Sequence, residues 1–170
     1  MHVELRCFRN FNPACAKVFY NCALENLAYE IAKSCERGIQ FAYHHAGSNI
    51  AFFDNQYYLD DPDLAVYDAI DRWWNRGERY DAPENLMPSV NDEWRAPFFQ
   101  MANGATTKFG CAFHTCNNSS RPPFVSFVCT YGQAYIAGVP LYTQGEPCGL
   151  CEGKRSKRCL RRRLCDNSVN

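Results

Sequence analysis

Eleven cysteines in a chain of 170 residues constrain the fold of this protein more than any other feature of its sequence. Four of them lie within residues 7–35, none lies within 36–110, and seven lie within 111–165. Cytosolic proteins keep few such thiols, whereas secreted domains use disulfides to close loops that a modest core does not hold. The number and the clustering of the cysteines therefore predict a disulfide-bonded, extracellular protein.

A zinc knuckle is the alternative interpretation of the last four cysteines, because two closely spaced pairs of thiolates suit a tetrahedral Zn²⁺ site. That interpretation leaves the other seven cysteines unexplained, so we favour disulfides. The four residues are Cys148, Cys151, Cys159 and Cys165.

Charge divides the chain into an acidic body and a basic tail, although the formal net charge is zero. Residues 154–170 carry seven basic residues and one acidic residue, which gives +6, so the preceding residues carry −6. A basic run attracts polyanions such as sulfated glycans, and the alternative is a solvated, charged loop. No aromatic residue is interleaved for stacking on bases, so we expect no nucleic-acid partner. The predicted polyanion-binding residues are Lys154, Arg155, Lys157, Arg158, Arg161, Arg162 and Arg163.

Apolar patterning predicts three helices and three strands in one domain. Apolar residues recur at helical spacing after Cys22 and after Pro62, and Asp61 is placed to cap the second helix. No apolar stretch approaches the roughly 18 residues that span a bilayer, so we expect no transmembrane segment. The predicted helices cover 22–35, 62–76 and a shorter segment opening at Pro97; the predicted strands cover 49–53, about 107–115 and about 124–131.

Five segments, in chain order, carry a family resemblance. They are Tyr20–Glu25 with Cys35; Gly47–Ile50; Ala69–Ile70 with Trp73–Trp74; Gln100–Met101 with Thr106–Cys111; and Val128–Tyr131 with Gly145–Cys148 and Cys151. In this combination they resemble the CAP superfamily (SCP/TAPS) of cysteine-rich secretory, venom-antigen and pathogenesis-related proteins. The nearest likeness is to the venom-allergen-like and activation-associated secreted proteins of parasitic nematodes.

The resemblance implies an α+β fold, an α-β-α sandwich around a small antiparallel sheet, with a cysteine-rich C-terminal hinge. It places a CAP-like domain at residues 1–144 and the hinge with its basic tail at 145–170. Family members usually have an additional helix before the segment that matches Tyr20–Cys22, and here that helix is missing or altered.

The cleft of the family often carries two His and two Glu, which suit a divalent metal. The matching positions here are Ser48, Arg76, Pro97 and a site near Gly38 or Ile39. A guanidinium cannot ligate a metal, and Ser and Pro offer little. We therefore predict that these degenerate positions bind no zinc, and we expect no cofactor.

Resemblance to the family hinge implies the disulfides Cys148–Cys159 and Cys151–Cys165. Cys116 and Cys129 flank the predicted hairpin, and we expect that they could pair across it. Cys22, Cys35 and Cys111 are expected to join other bridges, but the sequence does not fix their connectivity. Because eleven is odd, at least one thiol is unpaired in a monomer, and Cys7 and Cys15 are the candidates.

Two overlapping glycosylation sequons begin at Asn117 and Asn118, in the predicted connection between the last two strands. His44, His45 and His114 are the candidates for acid–base chemistry, but no motif places a carboxylate partner beside them. We interpret them as surface residues.

These observations favour a secreted, non-enzymatic effector that binds a host extracellular or cell-surface protein, or a sulfated glycan. The connections 36–60 and 78–96 are the predicted contact surfaces, because loops on a rigid framework usually carry recognition. One alternative is a sterol or fatty-acid carrier. Another is a hydrolase or protease, for which the family's cleft positions supply neither a base nor a nucleophile.

Overall fold

A four-stranded sheet runs through the middle of the described part of the chain. The computed structural model describes residues 18–37, 47–77, 87–118, 121–142, 159–160 and 164–165. The order across the sheet is β1–β3–β4–β2; β1 pairs with β3 in parallel, and the other neighbours are antiparallel. The strands are β1 (Phe19–Tyr20), β2 (Ser48–Phe53), β3 (Lys108–Asn118) and β4 (Arg121–Tyr131); a separate short pair, β5 (Cys159–Leu160) and β6 (Leu164–Cys165), is also antiparallel.

Four α-helices of the described residues pack around the sheet, and three of them confirm the helices predicted from the apolar spacing of the sequence. The predicted helix after Cys22 ends at Lys33, and the helix that opens at Pro62 ends at Asn75. The helix predicted to open at Pro97 begins one residue earlier and follows a 3₁₀ helix that the sequence analysis did not predict. The helices are α1 (Cys22–Lys33), α2 (Gln56–Asp60), α3 (Pro62–Asn75) and α4 (Ala96–Ala102), and the 3₁₀ helix covers Val90–Arg95.

Helices cover both faces of the sheet. On one face α1 packs through Ala28 and Ala32, both completely buried, against Val128 of β4. On the other face α3 presents Trp73, whose ring stacks on Phe127 with centroids 5.5 Å apart. The α-β-α sandwich around a small, mainly antiparallel sheet is therefore confirmed.

The β3–β4 hairpin is longer than the sequence predicted. The segment 117–123, which includes Pro122 and Pro123, was expected to be a connection because it is rich in turn-forming residues. However, β2 ends opposite Val125, so β4 has no described neighbour on that side at the two prolines. The register between the strands shifts at Asn117, which makes a bulge.

The register of β3 and β4 explains the two described disulfides and corrects one prediction. Cys111 lies directly opposite Cys129 and is bonded to it. Cys116 lies on the other face of the sheet, because side chains alternate along a strand. It is bonded to Cys35. The predicted pairing of Cys116 with Cys129 is therefore wrong.

Cys22 was expected to join a bridge; it is exposed and has no disulfide partner among the described residues. Cys7, Cys15, Cys148 and Cys151 lie outside the described residues. The backbones of Cys159 and Cys165 lie opposite each other in the β5–β6 pair. The two hinge disulfides implied by the resemblance, and the boundary between residues 144 and 145, stay predictions.

Candidate functional site

The cleft positions on β2 and α4 are joined through Asn49. Asn49 is buried, and its Nδ2 donates to the carbonyl oxygen of Pro97 at 3.0 Å and to the hydroxyl oxygen of Tyr131 at 3.2 Å. The neighbouring Ser48 has a buried Oγ for which the described residues supply no hydrogen-bond partner. Two of the cleft positions that the resemblance implies thus hold a serine hydroxyl and a proline that is anchored through its main chain.

Arg76, the third substituted cleft position, caps the C-terminus of α3. Its Nη1 donates to the carbonyl oxygen of Trp94 at 2.7 Å. A second guanidinium, that of Arg95, lies over the Trp94 ring at 4.4 Å from the centroid, and its Nη1 is 3.9 Å from an Asp92 carboxylate oxygen. Two arginines therefore fix the main chain and the ring of Trp94.

Gln100, on α4, fixes the loop that follows β4. Its Nε2 donates to the carbonyl oxygen of Gln133 at 2.7 Å, and its Oε1 accepts from the Tyr135 N–H at 3.1 Å. A Cβ on Gly47 would lie 2.0 Å from that Oε1, so the buried amide needs glycine beside it. The side chain holds together α4, the entry to β2 and the loop 132–141.

Two surface segments, the loop 132–141 and residues 88–95, are joined by a main-chain hydrogen bond. The Gly138 N–H donates to the Pro88 carbonyl oxygen at 2.9 Å, which joins the loop 132–141 to the segment that enters the 3₁₀ helix. Between them they expose four large apolar side chains, which we call the Trp94 surface: Val90 (69% exposed), Trp94 (54%), Ile136 (59%) and Val139 (47%).

The shifted pKa values near the cleft belong to tyrosines and are raised. Burial raises the pKa of Tyr131, although the hydrogen bond from Asn49 opposes the shift. Burial also raises the pKa of Tyr135, with a smaller contribution from the negative charge of Glu93. A tyrosine with a raised pKa stays protonated at neutral pH, so these hydroxyls are poor bases.

The groups at the three substituted positions do not fit a divalent metal, which needs carboxylate or imidazole ligands. One position holds a guanidinium, and at another the proline carbonyl already accepts a hydrogen bond from Asn49. Within the described ranges no group of three or more His, Cys, Asp or Glu side chains is placed to hold a metal ion. Gly38, Ile39, His44 and His45 lie outside those ranges. His114 packs edge-to-face on Tyr29, with centroids 6.0 Å apart.

The predicted contact connections are only partly loops. Within 36–60 the predicted strand 49–53 is confirmed as β2 (Ser48–Phe53), and the helix α2 (Gln56–Asp60) was not predicted. The described end of 78–96 carries the 3₁₀ helix and Trp94. Asn49, Gln100 and Trp94 were not predicted individually as site residues. A buried Asn in an apolar strand was the available signal for the first.

Of the predicted modification and polyanion sites, the structure places the first sequon. Asn117 is an exposed side chain of β3 opposite the bulge in β4, and the backbone of Asn118 pairs with Arg121. The seven basic residues of the tail lie outside the described residues. None of the described helices has the length and apolarity needed to cross a bilayer.

Comparison with known proteins identifies the family of this chain. The model of the cysteine-rich secretory protein family, CAP, matches residues 13–131. Ancylostoma secreted protein of Ancylostoma caninum is 28% identical over 148 residues, which cover 79% of this chain and 32% of that protein. GLIPR1-like protein 1 of Bos taurus is 29% identical over 86 residues, which cover 50% of this chain and 34% of that protein. The chain spans about a third of the length of these relatives.

Solved structures have the same fold. NaASP2 with Zn²⁺ has a TM-score of 0.69 and 25% identity, over 91% of this chain and 78% of that one. Na-ASP-1 has a TM-score of 0.75 and 20% identity, over 94% of this chain and 39% of that one. BmVAL-1 has a TM-score of 0.72 and 22% identity, over 91% of this chain and 78% of that one.

Proposed function

The chain belongs to the cysteine-rich secretory protein family, and we propose that it is a secreted, non-enzymatic member of the venom-allergen-like type that binds a host extracellular or cell-surface protein. The observation that carries the proposal is the Trp94 surface, four exposed apolar side chains on two segments that a main-chain hydrogen bond joins.

The cleft supports binding rather than catalysis. Hydrolysis in this cleft would need a general base within reach of a nucleophile or of an activated water. Arg76 and Pro97 instead make main-chain hydrogen bonds that hold the 3₁₀ helix and β2 in place. The solved structure of NaASP2 contains Zn²⁺. We infer that this chain has exchanged such a metal site for structural contacts.

The Trp94 surface has the properties of a protein-binding surface. Tryptophan and arginine are enriched at interfaces, and exposed apolar side chains close together mark contact sites. Because Arg76 and Arg95 already fix Trp94, binding would immobilise little that is mobile in the free protein.

Secretion, glycosylation and glycan binding belong to the same proposal. The two described disulfides require an oxidising compartment to form, and the relative from Ancylostoma caninum is named a secreted protein. An exposed Asn117 suits an attached glycan. The basic run 154–163 would add affinity for sulfated glycans at a cell surface.

The test is binding to an array of host extracellular proteins by protein secreted from eukaryotic cells. We expect Trp94→Ala to abolish the specific signal and Tyr67→Ala to preserve it, because Tyr67 is as solvent-exposed (73%) but lies on α3. Equal binding by both variants would contradict the assigned surface. Recovery of a stoichiometric sterol or fatty acid from the purified protein, without any protein partner, would favour the carrier function instead.

A further inference from the structure

Among the described residues, one edge of the sheet is left unpaired beside β3. The parallel strand β1 ends at Tyr20, which pairs with Phe109, so it covers only the first residues of β3. Beyond that point no described strand pairs with β3 on this side. The open edge therefore begins after Cys111 and continues toward the hairpin.

Hydrogen bonds on the two sides of β3 show which main-chain groups face this edge. The Gly132 N–H donates to the Lys108 carbonyl oxygen on the β4 side at 2.8 Å. On the opposite side, the Asn21 N–H donates to the Phe109 carbonyl oxygen at 2.8 Å. On that same side, the Tyr20 hydroxyl donates to the Cys111 carbonyl oxygen at 3.0 Å. Odd-numbered residues of β3 thus direct their main-chain N–H and C=O groups away from β4.

Phe113 and Thr115 continue this alternation. Each lies opposite an odd-numbered residue of β4, in the same relationship as the Cys111–Cys129 pair, whose Cα atoms are 4.0 Å apart. Such a short separation marks positions that do not exchange hydrogen bonds across the ladder. The N–H and C=O groups of Phe113 and Thr115 therefore point out from the open edge, and the Phe113 side chain is 42% exposed beside them.

This edge lacks the features that usually prevent strands of different molecules from pairing. Natural edges carry lysine, proline or inward-pointing charges. Residues 111–118 contain no Lys, Arg, Asp, Glu or Pro. The bulge at Asn117 limits the edge on one side, and Tyr20 limits it on the other.

We propose that the open edge of β3 pairs antiparallel with the same edge of a second copy of this chain. Phe113 then lies opposite Thr115 of the second copy, and these two residues form two main-chain hydrogen bonds with each other. The two-fold symmetry generates a second such pair, which gives four intermolecular hydrogen bonds. Phe113 then packs beside the second copy's Thr115 on one face, and the two His114 side chains meet on the other. The zero formal net charge of the chain favours such self-association.

A second copy suits this edge better than a charged peptide or a glycan, because the edge offers main-chain groups and one phenyl ring but no charge. Asn117 lies two residues beyond Thr115. A glycan on Asn117 would cover the edge, so glycosylation would keep the protein monomeric.

The test is sedimentation velocity over a range of concentrations with full-length protein that carries Ser119→Ala and Ser120→Ala to remove both sequons. Cys22→Ser is added to prevent covalent dimers. We expect a concentration-dependent dimer that Thr115→Val preserves. Thr115→Pro removes two of the four hydrogen bonds and should raise the dissociation constant about tenfold or more. Proline is tolerated at an edge whose N–H faces solvent, so this variant should fold.

A second pair of variants tests the register. His114→Glu and His114→Lys should each be monomeric, because like charges would lie opposite each other, and an equimolar mixture should form a heterodimer. The proposal would be overturned by a parent protein that stays monomeric throughout the concentration range. A dimer that Thr115→Pro leaves equally tight would overturn it as well.

Discussion

Cys35, just beyond the end of α1, is bonded to Cys116 on β3, 81 residues further along the chain. The bond ties the helix on one face of the sheet to the strand that it covers. Cys35 also has a positive φ of 54°, a conformation that ends many helices and that glycine adopts without steric cost. The residue therefore combines two roles, cross-link and helix termination.

Removal of this bond should be strongly destabilising. We expect Cys35→Ala with Cys116→Ala to lower the free energy of unfolding by about 4 kcal/mol, because a loop of this length loses its closure constraint in the unfolded chain. Cys35→Gly with Cys116→Ala should recover about 1 kcal/mol, since glycine relieves the left-handed backbone. Urea denaturation of both variants measures the difference. Equal stabilities would contradict the role assigned to the backbone of Cys35.

Gly47→Ala should destabilise the protein by about 2 kcal/mol, because its methyl group would overlap the buried amide of Gln100, which two hydrogen bonds hold in place. Gln100→Ala removes the obstacle as well as the hydrogen bonds. The cost of the double variant, measured by thermal and urea unfolding, should therefore be smaller than the sum of the single costs. Strict additivity would show that the two residues do not meet.

Alkaline pH should unfold the protein partly through Tyr131. Burial raises its pKa above the usual value of about 10, so the folded state favours the neutral hydroxyl. The resulting stability is complete below about pH 10 and is lost as the pH rises toward the folded-state pKa. We expect Tyr131→Phe to flatten the dependence of unfolding free energy on pH above about pH 10. Some slope remains, because Tyr20, Tyr58, Tyr135 and Tyr142 have raised pKa values too.

Isothermal titration with Zn²⁺ should give no tight binding that depends on the cleft. Ser48→Ala with Arg76→Ala is the matched variant, and any heat that wild type and variant share arises elsewhere in the chain. Tight binding that this variant abolishes would contradict the interpretation of Ser48, Arg76 and Pro97 as degenerate positions.

The sequence alone determined the local elements of this protein. The apolar spacing after Cys22 and after Pro62 predicted α1 and α3 to within two residues, since amphipathic periodicity is a local property. The same residues, with Gly47–Ile50 and Cys111, carried the family resemblance that the match over residues 13–131 confirms. The short elements β1 and α2 were missed, because neither is long enough to show a period.

Only the tertiary structure decided which residues meet. Cys116 and Cys129 are close in sequence and flank one hairpin, but the two-residue alternation of the strands places them on opposite faces of the sheet. The roles of Asn49 and Gln100 depend on partners that are 82 and 33 residues away in the sequence. The role of Trp94 depends on Arg76, at the end of another helix. The strand register sets the disulfides and the open edge of β3, and register is fixed by long-range packing and pairing that no local pattern encodes.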